Sequence, residues 1–226
     1  MADYRTEEEQ IELIKKWWNE NGKAIVIGTL VSLVVFFGWT TWQSHQRARN
    51  ESAADLYQQM LNASQLTENS EKVAGFAEQL RKEFPDTTYG VFAALQLAKD
   101  AVAASDLPRA ASLLEWARAQ KPDPSLVPLI SFRLAQVQYA QGEFDKALAS
   151  IPSIKDGDTW QVVFSELRGD IYRAQKKFGE ARDSYNAALK NAGTSSDQEQ
   201  RANIETKLSG LPNPATSAPS APEEVK

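Results

Sequence analysis

LAQVQYAQGEFDKALASI at 134–151 and RGDIYRAQKKFGEARDSY at 168–185 decide the fold. Laid over one another 34 residues apart, with no gap, they place Ala135 on Gly169, Phe144 on Phe178, Ala147 on Ala181 and Ile151 on Tyr185. Small residues recur where two helices must approach closely. An aromatic recurs where the turn between them needs a plug. Gly142 serves the interhelical turn in the first copy, and Lys176 replaces it in the second. A third copy, LAKDAVAASDLPRAASLL at 97–114, sets Ala98, Leu107, Ala110 and Leu114 in the matching positions. Ala110 and Ala147 are 37 residues apart. The extra length falls in KPDPSLVP at 121–128, where Pro122, Pro124 and Pro128 forbid a continuous helix. Pro108 is accepted at the start of a second helix.

A period of 34 residues built from helical hairpins is that of the tetratricopeptide repeat, TPR. The expected repeats cover about 92–117, 129–156 and 163–192. A degenerate hairpin at 46–84 precedes them and ends at Phe84-Pro85. Its first arm carries Ala53, Leu56, Tyr57, Met60, Leu61 and Ser64 at helical spacing. Residues 198–208 read as a short closing helix, because the last repeat of a stack needs a polar cap. The TPR-like domain thus takes 43–208. Residues 209–226, SGLPNPATSAPSAPEEVK, hold four of the ten Pro and few large apolar groups, a composition that predicts a disordered tail.

Upstream lies AIVIGTLVSLVVFFGWTTW at 24–42, without a charge. As a helix this run measures ~29 Å, against about 30 Å of membrane hydrocarbon. Trp17, Trp18, Trp39 and Trp42 flank it, where the membrane interface favours indole rings. Trp39 and Trp42 also occupy the place where a cleaved signal would want small residues, which argues for an uncleaved span. Arg5, Lys15, Lys16 and Lys23 precede the run, and Arg47 and Arg49 follow it. That bias predicts a cytoplasmic N-terminus and, in a bacterium, a periplasmic C-terminal domain. Gly28 and Ser32 form a small-xxx-small pair, a candidate contact with another membrane helix. Residues 1–23 read as a short interfacial helix, or as a cytoplasmic docking segment. Thr6 and Glu9 give it a capping box, and Asn21-Gly22 is a stop or hinge signal. The fold class is therefore all-α: one transmembrane helix followed by a TPR-like solenoid of helical hairpins.

Composition removes most chemistry. The 226 residues include no Cys and one His, which excludes disulfides, thiol catalysis and Cys-ligated metals, and leaves His45 without a partner ligand in view. The net charge of −5 is the wrong sign for general nucleic-acid binding. No phosphate-cradling glycine motif occurs, and no spacing joins a nucleophile to a base. The expectation is a non-catalytic binding protein without cofactor or metal. In TPR stacks the first helices line a concave face. The register points Lys99, Phe132, Gln136, Tyr139, Glu166, Asp170 and Arg173 toward it, as a groove for an extended peptide or a partner helix.

The layout resembles the bacterial YfgM family, the ancillary subunit of the SecYEG translocon. The resemblance rests on an acidic start, IKKWWNENGKAIVIG running into the span, GWTTWQSHQ after it, TYGVFAALQLAK, and the LAQVQYAQGEFDKAL and LRGDIYRAQKKFGEAR repeats. It implies an inner-membrane protein with its TPR domain in the periplasm. The implied partners are SecYEG, the membrane-anchored periplasmic chaperone PpiD and newly translocated chains, besides membrane lipid. The family offers no catalytic or metal residue to carry over. Two other readings fit the same fold: an anchored TPR scaffold for envelope assembly or cell division, and a cytoplasmic regulatory link through residues 1–23.

Overall fold

The computed structural model describes residues 7–65, 70–153, 159–192 and 198–212. Among them it holds nine helices and no strand: α1 Glu7–Ser64, α2 Ser70–Glu83, α3 Thr88–Ala103, α4 Leu107–Ala119, α5 Val127–Ala140, α6 Phe144–Ser150, α7 Trp160–Ala174, α8 Phe178–Asn191 and α9 Gln198–Ser209. The chain divides into two compact units, one ending at Asp55 and the other beginning at Leu56. Thr6 of the expected capping box lies outside the described residues, as do residues 213–226 of the expected tail.

The first unit is the greater part of α1. Its apolar run is long and apolar enough to cross a membrane. Val34 is 73% exposed and Phe37 63%, so no protein core covers this stretch. Three hydroxyls along it turn inward on the backbone. Thr29 Oγ1 donates to the Ile25 carbonyl at 2.8 Å, Ser32 Oγ to Gly28 at 2.8 Å and Thr40 Oγ1 to Phe37 at 3.0 Å. In hydrocarbon, polar groups must be satisfied in this way, because no water is present to do it.

The stop expected at Asn21-Gly22 does not occur, and α1 runs through it. A glycine in a helix costs only about 1 kcal/mol relative to alanine. Two local contacts favour continuation. Asn21 Nδ2 donates to the Trp17 carbonyl at 3.0 Å, and the Trp18 indole lies over Gly22, within 3.1 Å of where a Cβ would stand.

In the second unit α2 packs on α3, α3 on α4, α4 on α5, α5 on α6, α7 on α8 and α8 on α9. The small residues of the repeat register sit where helices touch: Ala98, Ala110, Ala135, Ala147 and Ala181 are all buried. Gly169 on α7 faces Tyr185 on α8, and a Cβ there would come within 2.5 Å of the ring. One core cluster joins α5 and α6 to α7 through Ala147, Phe164, Leu167 and Ile171. Another closes the last hairpin around Tyr185, Ala188 and Ile204. Within the second repeat, Ser150 Oγ donates to Gln138 Oε1 at 2.7 Å, a buried polar tie between α6 and α5.

The α3–α4, α5–α6 and α7–α8 turns share one geometry. Ser105, Gly142 and Lys176 have φ of 60°, 77° and 62°. The next N–H in each case reaches back five residues: Asp106 to Ala101 at 2.8 Å, Glu143 to Gln138 at 2.9 Å and Lys177 to Tyr172 at 2.9 Å. This is the Schellman ending, which turns the chain within two residues and satisfies carbonyls that the helix leaves open.

Residues 209–212, which composition assigns to the tail, lie against the last hairpin. Leu211 is 6% exposed and joins the core of the last hairpin. Arg182 Nη2 donates to the Pro212 carbonyl at 3.1 Å. Leu211 thus ties this stretch to a ready apolar site.

Candidate functional site

A cavity of about 580 Å³ opens on the first half of the solenoid. Leu95, Lys99 and Val102 enter it from α3, and Leu129, Arg133, Gln136 and Ala140 from α5. On each helix the spacing is i, i+4, i+7, the stripe that one helical face presents. Tyr57, Met60 and Leu61 from the end of α1 form one wall, and Leu107 and Leu114 come from α4. The Tyr57 ring lies 5.4 Å from that of Tyr89 and 5.8 Å from that of Phe92. Val102, on the same stripe of α3, is 44% exposed.

Two of the expected groove residues, Lys99 and Gln136, line this cavity. Phe132 and Tyr139 pack elsewhere. Phe132 meets Trp160 at 6.1 Å and Phe164 edge-on at 5.7 Å, which makes it a bridge between the second and third hairpins. Tyr139 lies 6.0 Å from Phe144, beside the turn. Arg133, Val102 and the α1 residues are in the cavity but were not expected there. A valine in an otherwise solvated stripe was the available signal for Val102.

Glu166, Asp170 and Arg173 lie on α7 in a different setting. Lys207 of α9 reaches between the two carboxylates, with Nζ 2.7 Å from Glu166 Oε1 and 2.7 Å from Asp170 Oδ2. Arg173 Nη2 stands 3.9 Å from Asp170 Oδ1. Tyr185 donates its hydroxyl to Asp170 Oδ1 at 2.7 Å. Burial first, and then this bond to a carboxylate, push the Tyr185 phenol well above its ordinary range, so it acts as a neutral donor. For Lys207 burial works against the charge, but hydrogen bonds to Asp170 and Glu166 outweigh it and the ammonium is held above its usual value. Arg201 on the same helix donates to the Ala192 carbonyl at 2.8 Å, capping the end of α8.

In α1, Gly28 has open space beside it, and the Ser32 hydroxyl is occupied by the Gly28 carbonyl. The pair therefore offers a shallow notch, with its polar group already satisfied. Among the described residues no three His, Cys, Asp or Glu side chains group as a metal site.

The family model described as a tetratricopeptide repeat-like domain matches residues 15–213, a stretch that includes both the apolar run and the repeats. A protein named ancillary SecYEG translocon subunit from Aggregatibacter actinomycetemcomitans is 37% identical over 88% of this chain and 96% of its own length. Proteins of the same name from Haemophilus influenzae and Escherichia coli are each 33% identical, over 83% and 84% of this chain and 91% and 90% of theirs. No solved structure matches the chain. With the resemblance read from its motifs, these matches place it: the chain belongs to the family of the ancillary SecYEG translocon subunit, YfgM, built on a TPR-like domain.

Proposed function

We propose that this chain is a membrane-anchored, non-catalytic accessory subunit of the SecYEG translocon. Its TPR-like domain, 43–208, lies in the periplasm and holds a PpiD-like chaperone, newly translocated chains, or both. The carrying observation is the extent of the likeness. Relatives that bear the translocon name match along nearly their whole length, and the family model begins at residue 15, ahead of the apolar run. Span and repeats are therefore shared as one unit.

The mechanism is tethering. The span, 24–42, confines the repeats near the exit of the channel and raises their effective concentration there, with no covalent step. The segment 1–23 stays in the cytoplasm, and the notch at Gly28 and Ser32 meets a translocon helix. The notch suits this role because small residues let backbones approach where lipid supplies no hydrophobic drive.

Site-specific photo-crosslinking in intact membranes tests the reading. A probe at Ser32 is expected to capture translocon subunits, and probes at Lys99 and Gln136 a chaperone or nascent chains. Capture of division or envelope-assembly proteins at all three positions would overturn it in favour of an anchored scaffold.

A further inference from the structure

We infer that the cavity on α3 and α5 docks an apolar protein segment that carries acidic side chains. The inference rests on the repeat domain being the part that holds a protein partner, and it adds the chemistry of that partner.

The charged residues lining the cavity among the described residues are Lys99 and Arg133, both cationic and both exposed, and no carboxylate lines it. This asymmetry stands out in a chain of net charge −5. The nearest acidic neighbour in sequence, Asp100, accepts from Gln96 Nε2 at 2.9 Å. Arg133 Nη1 donates to the neutral Gln136 Oε1 at 3.2 Å, so its charge is not balanced there. The acidic pair further along the stack is met instead by Lys207 and, at 3.9 Å, by Arg173, from within the chain. Glu166 and Asp170 are thus met by cations of the same chain, whereas Lys99 and Arg133 stand exposed beside the apolar lining of the cavity.

That apolar surface includes Val102, 44% exposed, and the side chains of Leu95 and Leu129. Among the described residues, Val102 is the exposed large hydrophobic that lies beyond the apolar run and its preceding segment, the others lying between Ile11 and Trp42. An occupant needs leucine- or phenylalanine-type side chains to cover this floor. It also needs carboxylates to meet two cations whose field would repel a basic segment. Lys99 and Arg133 enter the cavity from separate helices, α3 and α5, so an amphipathic helix with acidic residues on its flanks suits both.

The test uses the full chain in nanodiscs of neutral phosphatidylcholine, with empty nanodiscs as the reference. Two fluorescent peptides share one leucine/phenylalanine face and differ in flanks of Glu or Lys. Anisotropy is expected to show the Glu peptide binding at least about tenfold more tightly. The double variant K99E/R133E is expected to reverse that order, and the uncharged polar change Val102→Asn to weaken both peptides. Both cations are exposed, and an unchanged circular-dichroism melt checks that the double variant folds. Equal binding of the two peptides, or an order unchanged in K99E/R133E, overturns the inference. So does displacement of either peptide by a fatty acid with no sensitivity to the two cations, or self-association abolished by Val102→Asn. None of these outcomes depends on the translocon, so crosslinking at Ser32 stands or falls separately.

Discussion

Lys207 Nζ on α9 lies 2.7 Å from Asp170 Oδ2 on α7, spanning the second helix of the last hairpin. The same nitrogen meets Glu166, and Asp170 also holds the Tyr185 hydroxyl. The closing helix is thereby fastened by charge, while Ile204 is its buried apolar contribution. In Lys207→Met two partly buried carboxylates lose their counter-charge, a loss worth roughly 1–3 kcal/mol for groups that retain some water. The first effect is expected in α9 rather than in the whole domain. Hydrogen exchange of the amides at 198–209 should rise at least about tenfold, with those of α3 to α5 unchanged. Uniform acceleration across the domain would show that α9 does not open alone.

The same network fixes the response to alkali. The Lys207 value is raised in the fold: burial lowers it, but the bonds to Asp170 and Glu166 prevail. Its stabilisation is complete below the unfolded value of 10.5 and is lost as pH rises through the folded one. Tyr185 is also raised, by burial and then by Asp170, above an unfolded value of 10.0. Above that point the unfolded chain releases a proton that the folded chain keeps, so folding again loses free energy as pH rises. Both groups act in one direction, and stability of the last hairpin should fall above about pH 10. Urea titrations between pH 8 and 12 check this. Tyr185→Phe and Lys207→Met should each flatten the slope, and an unaltered slope in both would refute the assignment.

The contrast between Ala135 and Phe132 marks what a sequence can disclose here. Ala135, Gly169, Ala147 and Ala181 were legible because close helix contact admits only small residues, and the repeat displays that requirement twice. Phe132 shares the face of Gln136, one turn away, yet packs on Trp160 and Phe164. The rotation of one hairpin against the next decides between core and groove, and no local pattern records it. Lys207 was not legible for a related reason. Its partners lie 37 and 41 positions back, and a lysine on a closing helix looks like any solvated cation until the stack is built. Asn21-Gly22 misled because a weak local penalty was set against a long run of satisfied backbone hydrogen bonds.

Gly169 is the tightest point of the third repeat. A Cβ there would stand 2.5 Å from Tyr185 Cε1 and 2.6 Å from Cδ1. Tyr185 is fully buried and anchored through its hydroxyl to Asp170, so the ring has little room to yield. Gly169→Ala should destabilise the domain by about 1–3 kcal/mol through overpacking. Tyr185→Leu in the same chain should recover part of that loss, because the ring that clashes is gone. A urea midpoint for Gly169→Ala equal to that of the parent would show that the hairpin absorbs the methyl group.

Lys176 and Gly142 occupy the same turn of successive repeats, at φ 62° and 77°. The left-handed conformation costs an L-residue roughly 1–2 kcal/mol, and glycine nothing comparable. Against that, glycine raises the entropy of the unfolded chain by about 0.4–1 kcal/mol. The difference predicts opposite outcomes for exchanges at equivalent positions. Lys176→Gly should stabilise by about 0.5 kcal/mol, and Gly142→Ala should destabilise by about the same or somewhat more. Lys177 Nζ lies 5.9 Å from the Tyr172 ring, so Lys176 can be replaced without touching that contact. Thermal or urea unfolding of the two variants checks the signs. If Lys176→Gly destabilised the protein, the lysine side chain would have to contribute more than its backbone strain removes, and the turn would no longer be interchangeable between repeats.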